Sequence, residues 1–317
     1  MADATQLFRA AGLAHTALVT LDDVLREAAG RGQLDAAAIA SLRAWRDDPA
    51  HWAPGAREDA DTGSGPLAAT EATRRAESLV VAADLDDRAA VERLADDVAA
   101  SAGYFKLNSA FLAHGPPLVA AIRRRGLEVF LDLKFHDIPN TAANYVAAAA
   151  RLDVQLVTLH ASGGPTMLRA CVAAADRAAA AGLRRPRLLA VTALTSLPDA
   201  ELAEIGILDG RTAQVLRLAR LAQACGLDGV VCSVAEAAAV RAACGAGLLI
   251  VTPGVRPAHS TADDHAQVDT PSAARAAGAT HVVVGRPIYE ATAPAAAAAA
   301  IAAELLRAPP APGAHTA

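Results

Sequence analysis

Lysine is scarce in this sequence of 317 residues. Of its 29 basic residues only Lys106 and Lys134 are lysines, and arginine supplies all the others. Arginine carries a permanent charge on a planar fork, whereas a lysine ammonium is compact and can give up a proton when its surroundings change. A chain that uses arginine for ordinary surface charge needs a reason to keep two lysines. Both are therefore candidates for chemistry.

Cysteine is also scarce, and acidic residues outnumber basic ones by 34 to 29. Four cysteines lie far apart without a C-x-x-C pair, which is typical of reduced thiols in a cytoplasmic protein. The net charge is −5 and the sequence has no long basic run, which argues against a nucleic-acid or anionic-membrane surface. No basic segment followed by an apolar core opens the chain, so we expect no secretory signal. The cysteines are Cys171, Cys225, Cys232 and Cys244.

A long apolar stretch near the end of the chain does not have the character of a membrane span. Alanine dominates Ala291–Leu306, and Pro294 and Glu304 interrupt it. We therefore predict a terminal helix packed on a core.

The first 76 residues differ in composition from the remainder. Amphipathic patterns predict helices over Leu21–Ala29 and Asp35–Trp45. The stretch Asp47–Thr70 is rich in Pro, Gly, Asp and Ser, which is typical of a linker. We predict a helical extension and linker at residues 1–76, a catalytic domain at 77–308 and a disordered tail at 309–317. The extension could dock a partner, stabilise an oligomer or be an inert remnant.

Short apolar runs alternate with alanine-rich helical stretches from residue 77 onward. Eight of each in roughly 230 residues predict an α/β fold, a (β/α)₈ TIM barrel with an N-terminal helical extension. An open doubly wound sheet is the alternative, but no G-x-G-x-x-G follows the first strand. The predicted strands are Leu79–Ala83, Tyr104–Leu107, Glu128–Lys134, Val154–Leu159, Arg187–Thr192, Gly229–Cys232, Leu248–Val251 and His281–Val284. The predicted helices are Asp87–Ala100, Pro116–Arg125, Thr141–Arg151, Thr166–Ala181, Ala213–Cys225, Val234–Ala243, Pro271–Ala277 and Ala293–Leu306.

Charged side chains fall at the ends of the first three strands, where a barrel carries its chemistry. Asp84 follows the first strand and Lys106 lies in the second. In the third, the period of two puts Asp132 and Lys134 on one face, with leucines on the other. Asp137 follows where the chain turns. We expect the charged face to point into the barrel mouth.

Asp132 and Lys134 could form an ion pair with a purely structural role. Buried charges are costly unless paired, however, and a fold keeps such groups mainly where they do work. Neighbouring carboxylates favour the charged form of a lysine. Lys134 therefore suits a proton donor or an electrostatic clamp better than a Schiff-base nucleophile, which needs a neutral amine.

Two loops late in the chain have the pattern of a phosphate site. Val251–Pro257 follows the seventh strand and Gly285–Pro287 follows the eighth. Barrels often bind phosphate at this place with backbone N–H groups and a guanidinium. The alternative is a pair of Gly-Pro turns that carry surface arginines.

The segment Phe130–Thr141, which reads Phe-Leu-Asp-Leu-Lys-Phe-His-Asp-Ile-Pro-Asn-Thr, closely resembles the signature of the orotidine 5′-phosphate decarboxylase family. The resemblance extends in order over residues 77 to about 308. It implies a lyase that converts orotidine 5′-phosphate to UMP and CO₂, the last step of pyrimidine (UMP) biosynthesis, with no cofactor and no metal. The other matching segments are Leu159–Gly164, Val191–Ser196, Cys225–Ser233, Val251–Pro257 and Val284–Pro287.

The resemblance also implies a role for each matching residue. Lys134, Asp132, Asp137 and Lys106 correspond to the catalytic charged network, in which Lys134 protonates C6. Asp84 and Lys106 would hold ribose hydroxyls, Thr195 the pyrimidine ring, and Pro253 would lie against the ligand. Gly285 and Arg286 would grip the phosphate. A homodimer is implied, in which Asp137 reaches the partner's site and Ile138 and Thr141 join it across the interface.

One position departs from the family's pattern. The family usually has Gln in the loop after the seventh strand, where it bridges phosphate and base. The best alignment places His265 there, and a shift of two residues would place Gln267 instead.

Two other functions remain open. A Mg²⁺-dependent sugar-phosphate lyase of the same superfamily shares the D-x-K-x-x-D motif, but it typically has Glu where this chain has Lys106, and a cation there would repel the metal. A non-catalytic nucleotide-binding barrel is the second alternative. The complete charged network argues against it.

Overall fold

The computed structural model describes residues 75–257 and 269–308, and six residues before them. Contacts divide the chain into two compact units, Met1–Gly65 and Pro66–Ala317. The six early residues are helical and fall within the two predicted N-terminal helices: Leu25, Arg26, Ala29, Ile39, Ala40 and Arg43. The predicted linker and the predicted tail at 309–317 lie outside the described residues.

Eight parallel strands form a closed barrel in chain order, with β1 paired to both β2 and β8. The strands are β1 (Ala76–Ala82), β2 (Ala102–Leu107), β3 (Glu128–Phe135), β4 (Leu156–His160), β5 (Arg187–Val191), β6 (Gly229–Val231), β7 (Leu249–Pro253) and β8 (His281–Val284). The predicted barrel is confirmed, and the open-sheet alternative is wrong. Every strand lies within three residues of its predicted bounds.

Side chains alternate along the strands, so that one set points into the barrel and the other points out towards the helices, and each set forms a hydrophobic core. Val80, Phe130 and Val283 belong to a cluster that fills the barrel interior. Val81, Leu131 and their outward-facing neighbours pack against the surrounding helices in a much larger cluster. Strands buried on both faces are expected to be almost continuously apolar, which explains why the polar residues near their ends stand out.

Helices connect the strands and cover the outside of the barrel. They are α1 (Arg88–Val98), α2 (Ser109–His114), α3 (Pro116–Arg124), α4 (Pro139–Arg151), α5 (Gly164–Ala180), α6 (Asp199–Glu204), α7 (Arg211–Ala224), α8 (Val234–Cys244), α9 (Pro271–Ala276), α10 (Arg286–Tyr289) and α11 (Pro294–Arg307). The eight predicted helices are confirmed within two residues. The sequence prediction missed α2, α6 and α10, each of which follows a strand end.

Local signals explain where several helices begin. The Asp87 carboxylate accepts a hydrogen bond from the Ala90 backbone N–H at 2.7 Å and caps α1. Proline occupies the first turn of α3, α4, α5, α9, α10 and α11, where its missing N–H costs nothing.

The terminal helix α11 packs on the barrel, as predicted. Its buried face comprises Ala298, Ile301, Ala302 and Leu305. Within residues 75–257 and 269–308, and the six before them, no helix is long and apolar enough to cross a membrane.

Candidate active site

A cavity of about 320 Å³ opens at the carboxyl ends of the barrel strands. Its wall includes eight of the residues predicted from the sequence: Asp84, Lys106, Asp132, Lys134, Thr195, Pro253, Gly285 and Arg286. They come from β1, β2, β3, β5, β7 and β8 or from the loops directly after them. Closure of the barrel is what brings segments about 200 residues apart in sequence to one mouth.

The Asp132 carboxylate is the centre of a charged network on the floor of this cavity. Its Oδ2 atom lies 2.9 Å from Lys134 Nζ and 3.2 Å from Lys106 Nζ. Lys106 Nζ also lies 3.5 Å from Asp84 Oδ1. Only 11% of the Asp132 side chain and 10% of the Lys106 side chain are exposed, whereas 38% of the Lys134 side chain is. Lys134 is thus the ammonium that the cavity presents to a ligand.

Burial and the two lysines act in opposite directions on Asp132. Burial favours the neutral acid and would raise the pKa of its carboxyl group. The ammonium groups of Lys106 and Lys134 favour the carboxylate and outweigh burial, so the pKa of Asp132 lies below its usual value. Asp132 is therefore ionised at neutral pH.

Positive charge exceeds negative charge around the cavity. Its wall carries two carboxylates, Asp84 and Asp132, against two ammonium groups and the guanidinium groups of Arg256 and Arg286. An excess of cations in a concave, partly buried site attracts anionic ligands. The site suits a small molecule that carries phosphate or carboxylate groups.

The backbone of β3 is irregular between Leu131 and Phe135. Leu131 pairs with Val157 of β4 but Phe135 pairs with Leu159, so β3 carries two extra residues between these pairs. Lys134 has φ of 49° there, in the left-handed region that costs a non-glycine residue roughly 1–2 kcal/mol. The prediction that Asp132 and Lys134 face the mouth while Leu131 packs outward is confirmed. The bulge was not predicted.

Thr158 of β4 contacts this irregular segment directly. Its hydroxyl accepts a hydrogen bond from the Lys134 backbone N–H at 2.9 Å and donates one to Asp132 Oδ1, also at 2.9 Å. Thr158 is fully buried. Nothing in the sequence distinguishes it from an ordinary buried threonine, because its role depends on the register between β3 and β4.

Asp137 and the two residues linked to it lie outside the cavity of their own chain. Asp137 accepts hydrogen bonds from the Ile138 backbone N–H at 2.7 Å and from the Tyr145 hydroxyl at 2.9 Å. Ile138 is 67% exposed, and Thr141 lies in the first turns of α4. Among the described residues Asp137 makes no salt bridge, so within one chain the ammonium of Lys134 has only Asp132 as its partner.

Three further residues of the site escaped the sequence prediction. Arg256 and Tyr289 line the cavity, and Tyr289 lies one turn after Arg286 on α10. The Asn108 side chain donates to Asp84 Oδ1 at 2.6 Å and also caps α2. Arg256 belongs to the predicted phosphate loop but was not singled out. The positions of Asn108 and Tyr289 depend on short helices that the sequence did not reveal.

Of the histidines predicted near the site, His136 and His160 are among the described residues. His265 and its alternative Gln267 lie outside the described residues. The rings of His136 and His160 are 5.2 Å apart beside β4. Burial, together with the nearby His136, lowers the pKa of His160. Among the described residues, no group of three or more His, Cys, Asp or Glu side chains is placed to hold a metal ion.

A second cavity, of about 520 Å³, lies at the opposite mouth of the barrel. Arginines line it, and several are already neutralised: Arg185 lies 2.8 Å from Asp228, and Arg184 lies 3.1 Å from Asp153. Charges paired at the amino-terminal mouth of a barrel usually serve stability. The cavity at the carboxyl ends is therefore the candidate active site.

Comparison with known proteins gives consistent matches over the barrel. Residues 77–301 match the model of the "Orotidine 5'-phosphate decarboxylase / HUMPS family". The chain is 53% identical to an orotidine 5'-phosphate decarboxylase of Halorhodospira halophila over 228 residues, which cover 72% of this chain and 95% of that protein. It is 49% identical to the enzyme of the same name from Sodalis glossinidius, over 72% of this chain and 89% of that protein.

A solved structure also matches. The crystal structure of orotidine 5'-phosphate decarboxylase from Lactobacillus acidophilus superposes with a TM-score of 0.64 and 36% sequence identity. The match covers 72% of this chain and 98% of that one.

Proposed function

Because the chain belongs to the orotidine 5′-phosphate decarboxylase / HUMPS family, we propose that it is a carboxy-lyase that converts orotidine 5′-phosphate to UMP and CO₂ in pyrimidine biosynthesis. The observation that carries this proposal is the Asp132 carboxylate held between Lys134 and Lys106 at the barrel mouth. That arrangement offers an ammonium group to a reacting carbon within an otherwise apolar barrel interior.

The reaction needs an electrostatic partner for a carbanion. When the bond between C6 and the carboxylate breaks, CO₂ leaves and the electron pair stays on C6. The Lys134 ammonium stabilises that charge and then gives a proton to C6, which yields UMP. Lys134 regains its proton from solvent, so the overall reaction consumes one proton. No organic cofactor is needed to accept the electrons.

Asp132 holds the Lys134 ammonium in place for this step. The 2.9 Å contact between them fixes the direction of Nζ before the substrate binds. The substrate carboxylate would also approach the Asp132 carboxylate. We assign Asp132 the role of ordering Lys134 and Lys106.

The remaining residues of the site are assigned to the phosphate, the ribose and the pyrimidine ring of the substrate. Arg286, Gly285 and Arg256 serve the phosphate, since a guanidinium matches phosphate geometry with two hydrogen bonds. A Cβ at Gly285 would lie 3.3 Å from the Tyr289 ring, so glycine leaves room at this wall. Asp84 and Lys106 hold the ribose hydroxyls. Thr195 hydrogen-bonds the pyrimidine ring and Pro253 packs against it; His265, or Gln267 in its place, bridges phosphate and base.

The proposal includes a homodimer in which Asp137 completes the partner's site. Support comes from the exposed position of Asp137 and Ile138 at the mouth, outside their own cavity. Mixing inactive Lys134→Ala and Asp137→Ala proteins tests this. Random exchange of subunits restores one intact site in half of the dimers, so about a quarter of wild-type activity should return. No recovery after proven exchange would rule out the shared site.

A direct assay tests the proposed reaction. The absorbance change of orotidine 5′-phosphate on conversion to UMP is followed with the purified chain, with and without EDTA. We expect turnover that EDTA leaves unchanged. Turnover abolished by EDTA would favour the metal-dependent lyase branch, and UMP binding without CO₂ release would favour a non-catalytic barrel.

The proposal places the protein in the cytoplasm, where UMP precursors are made. The four cysteines are free and buried, which fits a reducing compartment.

We also propose that residues 77–308 contain all of the catalytic machinery, with residues 1–76 as an accessory helical extension and 309–317 as a tail.

A further inference from the structure

The two extra residues in β3 leave the Lys134 backbone N–H without a regular partner in β4, and the Thr158 side chain takes that place. Between Leu131 and Phe135 the backbone of β3 departs from regular pairing with β4. The Lys134 N–H therefore does not take part in a regular strand ladder, and it donates instead to the Thr158 hydroxyl at 2.9 Å. A left-handed residue persists only where its surroundings hold it. Thr158 supplies that restraint.

The same hydroxyl also determines how the Asp132 carboxylate is oriented. Thr158 donates to Asp132 Oδ1 at 2.9 Å, while Oδ2 faces Lys134 Nζ and Lys106 Nζ. With one oxygen held by the hydroxyl, the carboxylate plane cannot rotate without breaking a buried hydrogen bond. Thr158 is fully buried, so water cannot replace it.

We propose that Thr158 is a positioning residue, which fixes the Lys134 backbone and the Asp132 carboxylate together and so sets where the Lys134 ammonium lies. One hydroxyl uses its acceptor capacity on Lys134 and its proton on Asp132. Thr158 therefore restrains Lys134 at both ends: directly at the backbone N–H, and through Asp132 at Nζ. This inference rests on the proposed decarboxylase function.

Two substitutions separate the hydroxyl from the space that it fills. Thr158→Val keeps the shape and loses both hydrogen bonds, whereas Thr158→Ser keeps the hydroxyl. We expect kcat for orotidine 5′-phosphate to fall roughly 10- to 100-fold in Thr158→Val, because a small misplacement of a reacting group has effects of that size. KM and UMP affinity should stay within about threefold of wild type, since Thr158 is not part of the cavity wall. Thr158→Ser should retain most of the wild-type kcat.

Thr252→Val is the matched control. Thr252 is a fully buried threonine on β7 that is not part of the cavity wall, and among the described residues its hydroxyl faces the His281 carbonyl, at 3.5 Å. A general effect of removing a buried hydroxyl from a barrel strand should appear equally in both valine variants. We expect Thr252→Val to keep the wild-type kcat.

The outcomes are distinct. A kcat in Thr158→Val within about twofold of wild type overturns the inference, as does an equal loss in Thr158→Ser or in Thr252→Val. If Thr158→Val does not fold, Thr158→Ala takes its place against Thr158→Ser. A wild-type protein that releases no CO₂ refutes the proposed function instead, and this is seen before any variant is made.

Discussion

One oxygen atom, Asp132 Oδ2, lies close to both lysine ammonium groups of the chain. An arginine at either position would bring a larger planar group that cannot release a proton at ordinary pH. Placing two lysines around one carboxylate therefore explains why these positions kept lysine in a chain that otherwise uses arginine. The only two lysines of the sequence are thus the two ammonium groups that contact Asp132.

Arg286→Ala should mainly weaken ligand binding. Arg286 lines the cavity beside Gly285 and, among the described residues, makes no salt bridge to the Asp132 network; a charge-assisted hydrogen bond is worth about 1.5–3 kcal/mol. Affinity for UMP should therefore fall roughly 10- to 100-fold, as measured by titration calorimetry, and KM should rise by a similar factor. The control is Arg307→Ala, at the exposed end of α11. Unchanged UMP affinity in Arg286→Ala would contradict the phosphate assignment.

Individual site residues were predictable where they broke a local pattern. Asp132 and Lys134 interrupt an apolar strand at alternate positions, and Arg286 follows the last strand within a recognisable loop. Thr158 and Asn108 break no pattern. Their contacts with the site span 24 to 26 residues of sequence, and only the folded barrel brings these residues together.

At the scale of elements, the strands were the most predictable feature. Each is a short apolar run bounded by polar turns, and all eight lie close to the predicted positions. The helices α2, α6 and α10 were missed because four to six residues are too few to display a helical period. The bulge in β3 also escaped, since alternation alone assumes a regular strand.

The strand β8 begins with a buried histidine that makes stability depend on pH. Burial lowers the pKa of His281 from its ordinary value of 6.5 to about 4. Between these values the unfolded chain binds a proton that the folded protein does not, so stability rises with pH. The contribution is fully present above pH 6.5 and is lost as the pH falls towards 4. At 1.36 kcal/mol per pKa unit it amounts to about 3 kcal/mol.

His281→Phe should remove this dependence. The free energy of unfolding of the wild type, measured with urea, should fall between pH 6.5 and pH 4 by about 3 kcal/mol more than that of His281→Phe. Thr252→Val, a buried substitution on the neighbouring strand β7 that keeps His281, should retain the wild-type pH dependence. Equal pH dependence in wild type and His281→Phe would show that His281 does not carry the effect.

At the scale of the whole molecule, barrel closure uses only residues within the second compact unit. The strand β1 begins at Ala76 and pairs with β8, and α11 covers the outside near β1. The sequence predicted this architecture because eight strand and helix repeats leave few alternatives. The role of residues 1–76 could not be predicted, since amphipathic helices without a catalytic motif fit several functions.

Deleting residues 1–70 should leave the chemistry intact. All of the described residues that line the cavity lie beyond residue 81, so kcat for orotidine 5′-phosphate should stay within about twofold of the full chain. Mass in solution, measured by light scattering, reports whether the extension contributes to assembly. A folded barrel with lost activity would show that the first 70 residues take part in the site.

The role of the Lys134 ammonium is tested most directly by Lys134→Arg. This variant keeps the positive charge beside Asp132 but replaces the compact proton donor. We predict that CO₂ release from orotidine 5′-phosphate falls roughly 1,000-fold or more, while the protein still folds and binds UMP. A Lys134→Arg protein that releases CO₂ within about tenfold of the wild-type rate would contradict the assignment of Lys134 as the proton donor.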